Sequence, residues 1–409
     1  MTKAASKRRM SPRLRTEAKW GLGFIAPTII GLLILNYYPI FETVYESFCK
    51  TGDFGIGNQF IGFENYKNVF TDPEVYQTLF NSFRYAAVSL VLTIVISLVL
   101  AVLLNRKMHG RSVYRTIYFL PMVCAPAAVA MVWKWMLNQN YGLINHLFGT
   151  NINWITDPNI AWLSMVIVGT WSGIGNNMIL LLGGLQDIPK DYYEAAAIDG
   201  STGIHSFFHI TIPLLSPTLF FIIQTGIIGA LQMFDLPFML MDQSSRAWPT
   251  VKTITYLFYE YAFEHGDKGY GSTIVVFMIL VIGILTVILQ KQGYQSLPKS
   301  IEEAAEIDGC NVAQRFLFIM LPLTRSSLVS LGIFTALFAY KDLMWPLLVC
   351  PQPEYTTLTA GLSRLQGQFT SNYPQMMAGA VMAVIPMIVI YLIFQRQFIE
   401  GIASSCEKL

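Results

Sequence analysis

Charge is scarce in this sequence: only 13% of its 409 residues are charged, whereas 54% are hydrophobic. Soluble globular domains carry about 25% charged residues, so this chain has too little charge to cover a soluble fold of its size. The composition therefore predicts a protein that lies in a lipid bilayer.

Cysteine is also sparse, and it forms no recognisable pattern. The five cysteines are scattered, odd in number and include no Cys-x-x-Cys pair, which argues against a disulfide framework and a cysteine metal site. His205 and His209 are four residues apart, but no third ligand lies near them in the sequence. We therefore interpret them as surface histidines and expect no metal.

The phosphate-binding motif of ATPases is missing. The sequence contains no Gly-x-x-x-x-Gly-Lys-[Ser/Thr] and no Gly-Lys dipeptide, so it lacks the loop that cradles phosphates in such enzymes. No set of nucleophile, base and metal ligands is placed on one face of the predicted bundle either. We therefore expect a non-catalytic protein without a cofactor of its own.

Long apolar runs are what the sequence has in quantity. Runs of about 20 apolar residues have the length that crosses a bilayer. They predict an all-α, polytopic membrane bundle of about eight transmembrane helices. The predicted spans cover residues 20–41, 82–104, 116–137, 160–185, 214–239, 271–290, 324–349 and 375–396.

Basic residues predict the orientation of the bundle. An even number of spans places both termini on one side of the membrane. The loops on that side hold 17 Lys and Arg, whereas the opposite loops hold six. Because basic residues favour the cytoplasmic side, we predict cytoplasmic N- and C-termini and a basic cytoplasmic tail at residues 1–19.

One polar, alanine-rich stretch occurs twice on the predicted cytoplasmic side. It reads "PKDYYEAAAIDGSTGIHSFFHITIP" at 189–213 and "PKSIEEAAEIDGCNVAQRFLFIMLP" at 298–322. In each copy a proline favours the start of a helix, and Gly200 or Gly309 favours its end because glycine adopts left-handed backbone geometry. A second short helix follows, so each copy is predicted to form a helix-turn-helix hairpin.

The second helix of each hairpin carries an apolar stripe, which in the first copy comprises Ile204, Phe207, Phe208 and Thr211. A hairpin this short has no core of its own, so the stripe must pack against another surface. That surface is either the membrane helices of the same chain or another protein. The repetition of the same anchors at fixed spacing favours a partner that is present twice.

The repeated stretch resembles the EAA loop in the membrane subunits of bacterial ATP-binding-cassette (ABC) importers. "EAAAIDG" followed by "ITIPLLSP", and "EAAEIDG" followed by "IMLPLTRSSL", are similar to motifs of carbohydrate-uptake permeases of the maltose and glycerol-phosphate type. In that family the loop couples closure of a cytoplasmic ATPase to the pore. By this resemblance the ATPase-coupling residues are Glu194, Ala195, Ala196, Asp199 and Gly200, and Glu303, Ala304, Ala305, Asp308 and Gly309.

The resemblance covers nearly the whole chain after the basic tail, but unevenly. Residues 20–291 are similar to one complete permease unit of six helices, with its EAA loop at 186–213. Residues 292–409 are similar only to the last third of a partner permease, with an EAA loop at 294–322 and two transmembrane helices. We interpret the chain as a first permease subunit fused to the C-terminal third of its partner.

Five polar side chains within two predicted spans are candidates for the solute path, because polar groups are costly inside a membrane. They are Asn176, Asn177, Gln224, Gln232 and Asp235. Neutral amides suit hydroxyl-rich solutes, which need hydrogen-bond donors and acceptors but no counter-charge. The alternative is that these side chains only join neighbouring helices by hydrogen bonds.

The resemblance implies a permease subunit of a binding-protein-dependent importer of sugars or related polyols, located in the bacterial cytoplasmic (inner) membrane. Its implied partners are cytoplasmic ABC ATPase subunits that bind the ATP, an extracytoplasmic solute-binding protein, and a second permease or another copy of this chain. The implied solute is a small carbohydrate, and no nucleic acid is involved.

Two alternatives stay open at this point. One is a transport-incompetent fusion that inserts into the membrane and only docks the ATPase. The other is an ion-coupled secondary transporter, which requires a charged residue deep in the membrane. The charges within or beside predicted spans are instead expected toward their outer ends; they are Lys134, Asp235, Lys341 and Asp342.

Overall fold

The structure, a computed structural model, describes residues 23, 26–52, 58–106, 109–290, 340–349, 352, 354, 356–365 and 374–389. The basic tail and the second hairpin lie outside these residues. The coupling assignments of Glu303, Ala304, Ala305, Asp308 and Gly309 therefore stay predictions, as does most of the predicted span 324–349.

The described residues are mostly helical. One small antiparallel sheet pairs β1 (Cys49–Thr51) with β2 (Asn58–Phe60). The earlier helices are α1 (Ala26–Glu46, including a π-helical turn at Leu33–Tyr37), α2 (Glu64–Thr71), α3 (Pro73–Asn105), α4 (Arg111–Val123), α5 (Pro126–Met136), α6 (Leu143–Phe148) and α7 (Ala161–Asp187). The later helices are α8 (Lys190–Ile198), α9 (Gly203–Leu214, including a π-helical turn at Phe207–Thr211), α10 (Ser216–Leu231), α11 (Asp235–Leu240), α12 (Trp248–Val251), α13 (Ile254–Tyr259, continued by a π-helical turn at Glu260–Glu264), α14 (Lys268–Gln290), α15 (Met344–Val349), α16 (Leu358–Arg364) and α17 (Pro374–Val389).

Several of these helices could cross a membrane. α1, α3, α7 and α14 contain stretches that are long and apolar enough, and the number in the described residues rises to six if the bent pairs α4–α5 and α9–α10 each form one span. The predicted all-α membrane bundle is confirmed. α17 is a shorter apolar helix of the eighth predicted span.

The bundle is centred on α3 and α7, which pack together closely. The buried side of α3 carries small or polar residues at spacings of three or four, which place them on one helix face: Thr78, Ser82, Ala86, Ser89, Thr93, Ser97 and Ala101. Small residues let two helix backbones approach each other in a membrane, where interhelical packing and hydrogen bonds drive association. Ser97 Oγ, for example, donates to the Ile174 carbonyl at 3.0 Å.

The order of these contacts shows that α3 and α7 are parallel. Tyr85 lies beside Gly169, and Ser97, further along α3, bonds to Ile174, further along α7. The C-terminal ends of both helices therefore lie at the same end of the bundle. The turn at 109–110 follows α3 at this end, and the hairpin at 188–214 follows α7.

The predicted span 116–137 is wrong as a single straight helix, because α4 and α5 meet at an angle of 99°. Cys124 and Ala125 between them have extended backbones, with ψ of 145° and 133°. Pro126 explains the break: it disfavours helical geometry in the residue before it, and it has no N–H to donate to the Met122 carbonyl.

The predicted span 214–239 also ends early. α10 stops at Leu231, and the chain is not helical again until α11 begins at Asp235. Pro237 has no N–H for the Met233 carbonyl, and the Thr253 hydroxyl donates to that carbonyl instead, at 2.9 Å. A side chain from the following loop thus replaces a helical hydrogen bond and holds the break in place.

The loop that supports this second break is fixed to the N-terminal part of α3. Asn81 Nδ2 donates to the carbonyls of Pro249 and Lys252, at 2.8 and 3.0 Å. Arg84 Nη2 donates to the Thr250 carbonyl at 2.6 Å. These bonds satisfy backbone groups in a segment that has little regular structure of its own.

Lys252, which the sequence predicts to be a loop cation, is buried in a charged cluster. It is 4% exposed, and its ammonium pairs with Glu74 at 2.8 Å and with Glu260. Nearby, burial raises the pKa of Tyr256, and Glu264 raises it further. The phenol stays protonated and lies 3.4 Å from the Glu264 carboxylate, to which it donates.

Candidate functional site: a central cavity and an exposed hairpin

An open cavity of about 710 Å³ lies between helices of the bundle, and both helix breaks line it. The break between α4 and α5 contributes Met122, Cys124 and Pro126, and the break after α10 contributes residues 232–236. A broken helix leaves backbone polar groups without helical partners, which membranes tolerate only where protein or a cavity satisfies them. Both breaks therefore lie where neighbouring protein and the cavity can satisfy the freed backbone groups.

Three amides predicted for the solute path come together in the wall. Asn176 and Asn177 of α7 line the cavity with Gln232 at the second break. Asn176 Nδ2 lies 3.4 Å from Asn177 Oδ1, and both side chains are partly exposed to the cavity. The hydroxyl groups in the wall belong to Tyr85, Ser89, Thr93 and Ser172.

Gln224 is not brought to the cavity. Gly226, two residues further along α10, does line it, and two residues turn the helix by about 200°, so Gln224 belongs to another face. Its predicted grouping with Gln232 and Asp235 assumed one continuous helix, whereas α10 ends at Leu231. That grouping is wrong for Gln224.

Two charged side chains also line the cavity, Asp235 at the second break and Lys341 before α15. Both charges therefore face the cavity, and their placement toward the outer ends of the spans stays a prediction. Lys341 Nζ donates to the Met122 carbonyl at 2.6 Å, which is the acceptor that Pro126 cannot use. The sequence signal for this contact is the proline that follows Met122 by four residues.

The first hairpin has the predicted geometry. α8 ends in a Schellman motif, in which Ser201 N–H donates to the Ala196 carbonyl at 2.9 Å and Gly200 N–H donates to the Ala197 carbonyl at 3.2 Å. Gly200 has a φ of +74°, as this motif requires. The Tyr193 and Thr211 hydroxyls, 2.9 Å apart, join the two helices.

The hairpin presents an apolar ridge, formed by Ile198, Ile204 and Phe208, which are 87%, 75% and 61% exposed. The described part of the chain does not cover it. The predicted coupling residues lie on the same hairpin: Glu194, Ala195, Asp199 and Gly200 are exposed, and Ala196 is half-buried. Such a ridge on a small polar hairpin is typical of a protein interface.

The family of this chain follows from sequence comparison. The family described as binding-protein-dependent transport system inner membrane component matches residues 93–292 and again residues 291–399. The chain belongs to this family of ABC transporter permeases. Permease subunits of these transporters are non-catalytic and ATP is hydrolysed by a separate subunit, so this chain is a membrane component and not an enzyme.

Relatives of known name resemble most of the chain. It is 31% identical to the probable ABC transporter permease protein YesP of Bacillus subtilis over 296 residues, which cover 70% of this chain and 94% of YesP. It is 32% identical to the trehalose/maltose transport system permease protein MalF of Thermococcus litoralis over 281 residues, or 68% and 94% of the two chains. It is 32% identical to the sn-glycerol-3-phosphate transport system permease protein UgpA of Agrobacterium fabrum over 270 residues, or 64% and 90%.

The fold is also similar to that of a solved transporter. A chain of a bacterial ABC transporter involved in the import of the acidic polysaccharide alginate matches with a TM-score of 0.61 and 21% identity, over 68% of this chain and 97% of that one. The same transporter type, in complex with an alginate pentasaccharide-bound periplasmic protein, matches with a TM-score of 0.61 and 20% identity, over 68% and 96%. At these identities the likeness shows the fold alone.

Proposed function

We propose that this chain is the pore-forming permease of a binding-protein-dependent ABC importer for sugars or related polyols. The observation that carries the proposal is the cavity, whose wall places Asn176, Asn177 and Gln232 together at a broken helix. A volume of about 710 Å³ lies in the range of small-molecule sites. The names of its relatives, which include maltose and arabinooligosaccharide permeases, support the same solute class.

The proposal assigns ATPase coupling to the exposed hairpin at 188–214. Its apolar ridge offers a docking surface at the end of the bundle that also carries the turn at 109–110. The basic residues of the loops at that end favour the cytoplasmic side. A second hairpin at 294–322 would dock a second ATPase subunit. An extracytoplasmic binding protein delivers the solute at the opposite end, and no cofactor is held by this chain.

The solute path is tested with two matched glutamine variants in liposomes that contain the chain, its ATPase and loaded binding protein. Gln232→Leu removes an amide from the cavity wall, so we expect lower solute uptake and lower solute-stimulated ATP hydrolysis. Gln224→Leu makes the same change on α10 outside the cavity and should leave both unchanged. Equal effects of the two variants would contradict the proposed path.

The docking surface is tested with two matched phenylalanine variants. Phe208→Asp places a charge on the hairpin ridge and should abolish co-purification of the ATPase in detergent. Phe148 on α6 is also exposed, at 75%, but it follows the outward-running α4–α5 pair, so Phe148→Asp should retain the ATPase. Retention by both variants would refute the hairpin as the docking site.

The liposome assay also separates transport from docking alone. If the ATPase binds but loaded binding protein never stimulates it, the chain is a docking subunit that does not transport. If stimulation requires an added complete permease, the proposed pore is shared between two chains.

A further inference from the structure

The last described helix packs on the six-helix unit with one face. The buried residues of α17 recur at spacings of three or four, which places them on one face of the helix: Met376, Ala380, Ala383 and Met387. The first three share a hydrophobic core with Ala128 and Met131 of α5. The opposite face of α17 is exposed and apolar, as a lipid-facing surface would be.

Polar contacts hold the segment that precedes α15 against the same unit. The Tyr340 hydroxyl donates to the Ala383 carbonyl at 3.0 Å, which ties this segment to α17. Lys341 Nζ donates to the Met122 carbonyl at the first helix break. Because Pro126 has no N–H for the Met122 carbonyl, the lysine satisfies a carbonyl that lacks its helical donor.

This segment also contributes to the cavity itself. Lys341 and Met344 line it, alongside residues of α3, α4, α7 and α10. Leu343, between them, is buried in the core that contains α5 residues. The segment 341–344 therefore forms part of the cavity wall.

We infer that residues 340–349 pack on the six-helix unit of their own chain, so that one chain supplies the Lys341 and Met344 wall of its own cavity. The surface of α5 that α16 covers is then unavailable to a second copy of the chain or to a separate permease. A covalently linked segment has a large effective concentration beside its own unit, which favours this arrangement over exchange between copies. The inference rests on the proposed function in one respect only, namely that the cavity is the solute path.

Cross-linking of the full chain in membranes tests the inference without measuring transport. Cys124 and a Met344→Cys substitution place two thiols in the same cavity wall, once Cys49, Cys310, Cys350 and Cys406 are replaced by serine. A short bifunctional thiol reagent should join residues 124 and 344. For comparison, two differently tagged copies are co-expressed, one with only Cys124 and the other with only the cysteine at 344.

We expect the internal product to exceed the product between copies by at least about a hundredfold. A pair made of Met344→Cys and Leu280→Cys, an exposed position on α14 outside the cavity wall, should give no internal product. A product formed mainly between copies would overturn the inference. So would the absence of any product from a double-cysteine chain whose two thiols both react with a monofunctional reagent.

Discussion

The hairpin and the cavity are built from the chain in opposite ways. The hairpin at 188–214 is one continuous segment whose turn is held by bonds between residues at most five apart, such as Ser201 to Ala196. The cavity draws on residues from Tyr85 to Met344. The hairpin therefore depends on local turn chemistry, whereas the cavity depends on long-range packing.

The difference extends to what each region leaves exposed. The hairpin keeps its apolar ridge on the outside, where a partner protein can cover it. The cavity places amides and charges inside, and distant hydrogen bonds position them, such as Thr253 to Met233. We therefore expect substitutions near the cavity to lower the stability of the whole bundle, and substitutions in the hairpin turn to affect mainly association.

The largest expected effect is that of Lys252→Met, which leaves the Glu74 and Glu260 carboxylates without their shared cation. Removing one partner of a buried ion pair costs about 3–5 kcal/mol, and we expect about 3 kcal/mol here because the Glu74 side chain is 46% exposed. We expect a correspondingly lower free energy of unfolding in detergent, with loss of the loop that supports the second break. Lys67→Met, at an exposed position on α2, should change stability little.

A smaller loss is expected for Gly175→Ala on α7. A Cβ atom at this glycine would meet the backbone of Tyr118 and Phe119 on α4, which cannot move aside as a flexible side chain can. Overpacking of this kind costs about 1–3 kcal/mol. Gly283→Ala on α14 adds the same methyl group into open space, and an equal loss in both variants would argue against close packing at Gly175.

The hairpin should respond differently to Gly200→Ala. Left-handed geometry costs a non-glycine residue about 1–2 kcal/mol, so the variant strains the turn between α8 and α9. We expect roughly tenfold weaker ATPase association with little change in the unfolding temperature of the bundle. Gly203 does not have a left-handed backbone, and a methyl group added there would meet no atom within 4 Å. The Gly203→Ala variant should therefore bind the ATPase normally.

The smallest expected effect is that of Thr253→Val, which removes the donor to the Met233 carbonyl and also the N-cap acceptor of the Tyr256 N–H at the start of α13. A net loss of about 0.5–1.5 kcal/mol is typical for one hydrogen bond. Thr225→Val is the matched control, because that hydroxyl bonds within its own helix to the Phe221 carbonyl at 2.8 Å. If the two variants unfold alike, the loop does not hold the second break.

Sequence reasoning succeeded where the deciding forces are local. Gly200 ends α8 in left-handed geometry because no other residue adopts that backbone as easily, and the span positions follow from apolar length. The family assignment rested on the same local motif. Sequence reasoning failed where distant segments interact. Gln224 was grouped with Gln232 as if one helix contained both, but α10 ends at Leu231, and a hydrogen bond from Thr253 helps to hold that end.

Pro126 and Pro237 show why the two breaks were missed. A proline inside a span can be tolerated or can break the helix, and the outcome depends on which group satisfies the freed carbonyl. Here Lys341 and Thr253 do so, and both lie far from those carbonyls in sequence. Apolar length alone therefore predicted straight spans.

By itself the sequence determined that this chain enters a membrane as a helical bundle and carries an EAA-type hairpin, because hydrophobic length and turn chemistry act over a few residues. Only the tertiary structure decided that Asn176, Gln232, Asp235 and Lys341 meet in one cavity. Their meeting depends on two helix breaks and on packing between segments far apart in the chain. Each break is held by a long-range hydrogen bond to a carbonyl that has lost its helical donor.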